Sequence, residues 1–201
     1  GMKWVELKKP EKLTDDQAKN IRFTRDRVKD SDPTQPWYEA LDSQGKPIRN
    51  NYTGEEARAG SPEEAYLAGR LAEEGNQMGH CVGGYCEGVA RGEARIFSLR
   101  DAKGKSHVTI ETTPEINAGD KPTGDFDIQQ IKGKQNRAPV KEYLPYVQDF
   151  VKSGPINTQE MYHASPGGGI KEITDNPLWL FHSKDLADEW TTAVGGKLTD
   201  I

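Results

Sequence analysis

One stretch of the chain repeats its leucines at the spacing of an α-helix. Leu67 and Leu71 share one face of a segment that follows Ser61. Serine is a preferred residue just before a helix, and here a proline, suited to the first helical position, comes next. The pattern predicts a helix over residues 62–74 that ends at Gly75.

Weaker patterns predict three more helices before residue 154. Apolar residues recur at helical spacing over residues 81–91 and again over residues 140–152. Near the N-terminus, Thr14 followed three residues later by Gln17 is a capping-box pattern, which predicts a short helix that runs towards Asn20.

Alternating apolar and polar residues predict the strands. A hairpin is expected in the N-terminal part, with its clearest strand at residues 37–41. A second hairpin turns at residues 101–104, and residues 113–124, rich in proline, glycine and aspartate, are expected to form a loop. The four strands predicted for the central sheet lie near residue 37 and at residues 95–100, 105–112 and 125–131.

These elements predict an α+β fold, an antiparallel sheet of about four strands with helices packed mainly on one face. Residues 1–153 form this domain, including an N-terminal helix and hairpin as an extension. Gly154-Pro155 marks a boundary, and residues 154–201 form a small C-terminal appendage. We expect strands near residues 160–164 and 179–182 there, and a helix over residues 184–192.

Composition narrows the class of protein. No run of apolar residues is long enough for a membrane span, so a soluble protein without a membrane partner is expected. Two cysteines in 201 residues do not make a disulfide scaffold, which favours the cytoplasm. The net charge of −5 argues against non-specific coating of nucleic acid. A local basic patch is still open, and its residues are Lys132, Lys134, Arg137 and Lys141.

The sharpest chemical signature surrounds His80 and Cys81. Cys81 lies where the helix over residues 81–91 would begin, and a helix N-terminus lowers the pKa of a thiol. The base would be His80 or, because side chains of sequence neighbours diverge, His107 on the predicted sheet. The spacing of the two cysteines does not suit a zinc site, so no metal is expected. Two buried, unreactive thiols are the plainer alternative.

Four segments of the sequence resemble the PcfJ-like family of conjugative plasmids and phages. They lie within residues 60–150 and read Met78-Gly79-His80-Cys81-Val82-Gly83-Gly84-Tyr85-Cys86, Arg95-Ile96-Phe97-Ser98-Leu99-Arg100-Asp101, Val108-Thr109-Ile110-Glu111, and Gln130-Ile131-Lys132-Gly133 with Asn136-Arg137. The resemblance implies a mobile-element context more firmly than an activity.

The same resemblance singles out polar residues that would converge on a ligand pocket. Besides His80 and Cys81, these are Arg100, Glu111, Gln130 and Asn136. The alternative is that Arg100 and Glu111 form a structural ion pair across adjacent strands, in which case neither needs a ligand.

The C-terminal segment resembles the opening of ADP-ribosyltransferase-like domains. Met161-Tyr162-His163-Ala164-Ser165 and Phe181-His182-Ser183 carry the likeness, although the second motif has an inserted histidine. The resemblance implies that His163 would hold the ribose of NAD. The sequence contains no counterpart of the later strand with the catalytic glutamate, so transferase activity by this chain alone is not expected.

Three functions therefore stay open. The leading expectation is an accessory module of a phage or plasmid protein that binds a protein partner or nucleic acid and needs no cofactor. The second is a cysteine-dependent enzyme with Cys81 as nucleophile and His80 or His107 as base. The third is NAD binding through His163.

Overall fold

The computed structural model describes residues 1–25, 37–116, 121–153, 162–165, 179–181 and 197–200. Contacts divide the chain into two compact units. The first unit comprises Gly1–Glu6 and Glu93–Ile201, and the second comprises Leu7–Gly92. No helix within the described residues is long and apolar enough to cross a membrane.

Helices and antiparallel strands occupy separate stretches of the chain, which confirms the α+β class. The helices are α1 (Asp15–Ala18), α2 (Pro62–Met78), α3 (Cys86–Arg91) and α4 (Leu144–Ser153). The strands are β1 (Lys3–Leu7), β2 (Ile21–Thr24), β3 (Trp37–Ala40), β4 (Arg58–Ala59), β5 (Arg95–Arg100), β6 (Ser106–Ile116), β7 (Pro122–Lys132), β8 (Tyr162–Ser165), β9 (Trp179–Phe181) and β10 (Lys197–Asp200). Short 3₁₀ turns lie at Cys81–Gly84, Lys134–Asn136 and Lys141–Tyr143.

The first unit is built on a four-stranded sheet in the order β1-β5-β6-β7. β6 pairs antiparallel with both β5 and β7. One face of the sheet is apolar and packs against α4, and its buried cluster consists of Phe97, Leu99, Val108, Ile110, Ile128, Ile131, Val147 and Phe150. The Trp4 ring of β1 extends the cluster at 4.8 Å from the Phe150 ring. The predicted antiparallel sheet of about four strands is confirmed.

The β6–β7 hairpin is longer than predicted. Instead of a loop over residues 113–124, β6 continues to Ile116 and β7 begins at Pro122. β5 begins at Arg95, opposite Thr112, so among the described strands β6 has only β7 beside it from Thr113 onward. A strand with one open edge tolerates Pro114, because a proline there breaks no ladder hydrogen bond. The loop prediction was therefore wrong.

α2 begins as predicted and ends later. Ser61 Oγ accepts a hydrogen bond of 3.3 Å from the backbone N–H of Glu64. The helix continues through Gly75 to Met78, and Gly79 ends it with a left-handed backbone at φ 69°. Both Gly75 and Gly79 are of a residue type that commonly ends a helix, and the prediction that the helix ends at Gly75 was wrong.

The predicted capping box at the N-terminus of α1 is present. The Thr14 backbone N–H donates to Gln17 Oε1 at 2.9 Å, and the Gln17 N–H donates to Thr14 Oγ1 at 3.3 Å. The helix ends at Ala18, earlier than expected.

The second unit has its own three-stranded antiparallel sheet, in the order β2-β3-β4. The strand near residue 37 pairs there, with Ile21 opposite Ala40, so its predicted place in the central sheet was wrong. β1, which the pattern did not predict, is the fourth strand of the central sheet instead. α2 packs on the small sheet through an alanine cluster made of Ala40, Ala57, Ala68 and Ala72.

The helix predicted over residues 81–91 is broken into two pieces. A 3₁₀ turn covers Cys81–Gly84, and α3 begins only at Cys86. The glycines in this stretch lower its helix propensity. In the C-terminal segment, β8 pairs with β9 and β10, and the strands expected near 160–164 and 179–182 are present. The helix expected over 184–192 lies outside the described residues.

Candidate functional site

His80 and Cys81 face different surroundings although they are adjacent. The backbone N–H groups of Gly79 and His80 both donate to the Gly75 carbonyl, at 2.7 and 3.1 Å. These two hydrogen bonds at the end of α2 set the direction in which the chain leaves the helix. The His80 side chain is buried, whereas the Cys81 thiol is exposed. The two side chains therefore differ in their access to solvent, and the pairing of His80 as base with Cys81 as nucleophile stays a prediction.

Glycines near this segment let backbones approach closely. A Cβ on Gly75 would lie 2.8 Å from the His80 carbonyl oxygen, and one on Gly83 would lie 2.7 Å from Asn50 Nδ2. Gly84, by contrast, has no neighbour within 4 Å of such a Cβ. Gly75 and Gly83 thus serve close packing within the second unit.

The second cysteine has a structural environment. The Cys86 thiol is partly buried, 3.6 Å from the Glu64 carbonyl oxygen. Burial, with the charges of Glu64 and Glu87 as lesser causes, raises the pKa of Cys86 to about 11. Cys86 is therefore a neutral thiol near pH 7. Among the described residues, no three His, Cys, Asp or Glu side chains are grouped to hold a metal ion.

His107 lies in a hydrogen-bonded chain in the first unit. Its Nε2 is 3.1 Å from Asp101 Oδ2, and its Nδ1 is 2.8 Å from the Tyr143 hydroxyl. In the neutral tautomer with hydrogen on Nε2, His107 donates to Asp101 and accepts from Tyr143. This bond, with backbone hydrogen bonds from Lys105 and Lys103, lowers the pKa of Asp101 to about 2.

These hydrogen bonds to Asp101 and Tyr143 limit what His107 can do as a base. Burial raises the pKa of Tyr143, so its hydroxyl keeps its proton as the donor to His107. Both ring nitrogens of His107 are engaged, and the ring must release one of these bonds before it can act as a base. The nucleophilic role of Cys81 stays a prediction.

Two of the polar residues implied by the family resemblance meet on the sheet. Glu111 lies opposite Gln130, and its carboxylate accepts a hydrogen bond from the Gln130 amide. Burial raises the pKa of Glu111, and this hydrogen bond opposes the effect. Arg100 is the last residue of β5, and its Nε donates a hydrogen bond to Ser98 Oγ at 3.1 Å. Because Glu111 lies opposite Ile96, the alternative of an Arg100–Glu111 ion pair was wrong.

Three segments meet at one end of this sheet. β6 begins at Ser106 and the antiparallel β7 ends at Lys132, so the β5–β6 turn lies beside the 3₁₀ turn Lys134–Asn136. The Tyr143–His107 hydrogen bond brings the 3₁₀ turn Lys141–Tyr143 to the same place. Five exposed cationic residues lie on these segments, and we call them the basic end: Lys103, Lys105, Lys134, Arg137 and Lys141.

Asn136 lies in a strained part of the basic end. Gln135 and Asn136 have φ values of 57° and 59°, a left-handed backbone that side chains disfavour. The Gly133 N–H, which donates to the Arg137 carbonyl at 2.7 Å, closes this loop. Such strain persists where surrounding bonds impose it, and it is common at functional sites.

Sequence patterns missed part of this geometry. Lys103 and Lys105 were not included in the basic cluster, because the hairpin turn that carries them is remote in sequence from Lys134. Asp101 has a recognisable signal, since its Oδ1 accepts from the N–H groups of Lys103 and Lys105 as a turn aspartate does. Tyr143 has no such signal. His163 lies in β8 opposite Leu180 and Thr199, and its role in NAD binding stays a prediction.

Comparison with known proteins relates part of the chain to a family. The model of a family described as PcfJ-like protein matches residues 63–148. No curated protein matches the chain, and no solved structure matches it. The matched part begins in α2, contains His80 and Cys81, and extends through the three long strands into α4. Over these residues, the chain is similar to PcfJ-like proteins.

Proposed function

We propose that this chain is an accessory module of a mobile genetic element that binds nucleic acid through the basic end. The similarity to PcfJ-like proteins supports a plasmid-associated context. The observation that carries the binding proposal is the grouping of five exposed cationic residues from three segments at one end of the sheet.

Charge favours nucleic acid as the partner of this surface. The whole chain has a net charge of −5, so long-range attraction to phosphates is weak and must come from a local patch. At the basic end, five cations outnumber the two acidic residues Asp101 and Glu142, and Asp101 is turned to His107. Lysine and arginine contacts to phosphates position a protein on nucleic acid without reading its sequence.

The hydrogen bonds of His107 with Asp101 and Tyr143 hold the basic end in place before binding. Tyr143 and Asp101 fix two of the three segments to His107 before any ligand arrives. A preorganised set of cations loses less conformational entropy on binding than flexible side chains on separate loops do.

Fluorescence anisotropy with a labelled oligonucleotide tests the proposal. If all five cations contact phosphates, the logarithm of the association constant should fall with the logarithm of salt concentration at a slope of about −4. The triple variant Lys103→Ala, Lys134→Ala, Arg137→Ala should reduce this slope to about −2 and weaken binding at low salt.

The matched control replaces three exposed lysines of the second unit, in the variant Lys8→Ala, Lys12→Ala, Lys46→Ala. It removes the same total charge but leaves the basic end intact, so its salt slope should equal that of the wild type. Equal losses in the two variants would mean that only net charge matters. Absence of binding at low salt would exclude nucleic acid and leave a protein partner as the alternative.

A further inference from the structure

Two exposed hydrophobic side chains adjoin the basic end. In the described part of the chain, the exposed large hydrophobic residues are Phe23, Tyr52, Ile116, Val140 and Tyr146. Phe23 and Tyr52 lie in the second unit, and Ile116 is at the end of β6 that is remote from the basic end. Val140 and Tyr146 lie before and after Lys141 in the chain, and they are 58% and 39% exposed. The basic end therefore offers hydrophobic surface as well as charge.

The position of Tyr146 is fixed relative to the basic end. α4 begins at Leu144, directly after Tyr143, whose hydroxyl is bonded to His107. Tyr146 therefore lies about one helical turn, or about 5 Å along the helix axis, beyond that contact. The Tyr146 carbonyl accepts a hydrogen bond from Trp4 Nε1 at 3.2 Å. Because this bond uses the backbone, it holds the first turn of α4 and leaves the tyrosine ring exposed.

Exposed amide side chains lie on the same surface. Gln135 and Asn136 are exposed in the loop that also carries Lys134 and Arg137, and both have a left-handed backbone. A side-chain amide is both a donor and an acceptor, so it matches the hydrogen-bonding edge of a nucleobase. Phosphates need neither an amide nor an exposed ring. The surface therefore suits a ligand that offers bases in addition to phosphates.

We propose that the nucleic acid bound at the basic end is single-stranded, with one base stacked on the Tyr146 ring. This inference rests on the proposed function and specifies its ligand. In a duplex the bases are stacked on one another, whereas a single strand can turn a base towards an aromatic side chain. The cations hold the phosphates, and Tyr146 contacts a base of any sequence, because every base has a π face.

Fluorescence anisotropy of the wild-type chain with three labelled oligonucleotides is the first test. They are oligothymidylate, an abasic strand of the same length, and a duplex of oligothymidylate with oligoadenylate. Oligothymidylate should bind at least about fivefold more tightly than the abasic strand, which keeps the phosphates and lacks the bases. It should also bind more tightly than the duplex, although the duplex has the higher charge density.

The outcomes separate this inference from the proposed function. Equal affinity for oligothymidylate and the abasic strand would overturn base stacking and leave phosphate binding at the basic end intact. Tighter binding of the duplex would overturn the single-strand assignment in the same way. Absence of binding to all three oligonucleotides at low salt would overturn both the inference and the proposed function.

Variants locate the stacked base. Tyr146→Ala should weaken binding of oligothymidylate at least about fivefold and leave the salt slope unchanged, because no charge is removed. Tyr146→Phe keeps the ring and should bind as the wild type does. Tyr52→Ala is the matched control, since it removes an exposed tyrosine ring from the second unit, and it should leave the affinity unchanged.

The abasic strand shows whether Tyr146→Ala acts through the base. The variant should bind this strand as tightly as the wild type does, which requires a folded chain with intact phosphate contacts. A loss of the same size on the abasic strand would give the ring a structural role and overturn its stacking role. Equal effects of Tyr146→Ala and Tyr52→Ala on oligothymidylate would also contradict the proposal.

Discussion

The Nδ1 atom of His107 lies 2.8 Å from the hydroxyl of Tyr143, and this contact joins the start of β6 to the 3₁₀ turn before α4. The hydroxyl donates this hydrogen bond, so Tyr143→Phe leaves the histidine nitrogen without its donor. We expect a loss of about 1 kcal/mol in the free energy of unfolding, measured by urea denaturation.

Tyr146→Phe is the matched control for this change. The Tyr146 backbone carbonyl, and not its hydroxyl, accepts the hydrogen bond from Trp4 Nε1 at 3.2 Å. The control should therefore change stability by less than about 0.5 kcal/mol. If both variants lose the same stability, the His107 contact contributes nothing in solution.

Asp101 makes stability depend on pH in the acid range. Its hydrogen bonds in the folded state lower its pKa from 3.8 to about 2. A depressed pKa means that the ionised group stabilises the fold above about pH 4 and that this contribution is lost as the pH falls through about 2. Between these limits, the melting temperature of the wild type should fall more steeply than that of Asp101→Asn.

The pH range around 5 serves as the internal control. There the carboxylate is ionised in both the folded and the unfolded chain, and the pH is still below the usual titration range of histidine, so the difference in melting temperature between the two proteins should vary little with pH. Parallel curves across the acid range as well would show that Asp101 has an ordinary pKa in the folded protein.

Glu39 is the buried centre of an ion-pair network on the small sheet. Its side chain is 1% exposed, with Arg22 Nη2 at 2.6 Å and Arg58 as a second partner. Loss of a buried charge leaves its partners uncompensated, so Glu39→Gln should destabilise the chain by about 3 kcal/mol in chemical denaturation.

An exposed ion pair in the same unit provides the comparison. Glu87 pairs with Arg91 one turn later in α3, and both side chains are more than half exposed. Glu87→Gln should cost less than about 0.5 kcal/mol, because water screens such pairs. Similar losses for Glu39→Gln and Glu87→Gln would mean that burial of Glu39 does not set its contribution.

Local signals in the sequence predicted local structure well. The caps at Thr14 and Ser61 depend on contacts three residues apart, and both are present. The turn at residues 101–104 also forms as predicted, with Gly104 at φ 79°. Each of these features is decided by hydrogen bonds within one short segment, so the residue types there contain the necessary information.

Contacts between distant segments could not be predicted in this way. β1 lies beside β5 although some 90 residues separate them, and an alternating pattern does not identify a strand's partner. The partners of the candidate site residues could not be predicted from the sequence either. His107 was a candidate, but its partner Tyr143 lies 36 residues away, and the contact depends on where α4 packs on the sheet.

The left-handed backbone at Gln135 predicts a substitution that stabilises the protein, whereas the substitutions above destabilise it. A residue with a side chain at φ 57° is strained, and glycine adopts this conformation without strain. Glycine also makes the unfolded chain more flexible, which offsets part of the gain. We therefore expect Gln135→Gly to raise the free energy of unfolding by about 0.5 kcal/mol.

Gln148→Gly tests whether this gain comes from the backbone. Gln148 is an exposed residue within α4, where glycine should cost about 1 kcal/mol because it is a poor helix former. The two substitutions make the same chemical change, so opposite signs in urea denaturation can arise only from the different backbone conformations. A loss at both positions would show that the loop at residues 134–136 relaxes from its left-handed form in solution.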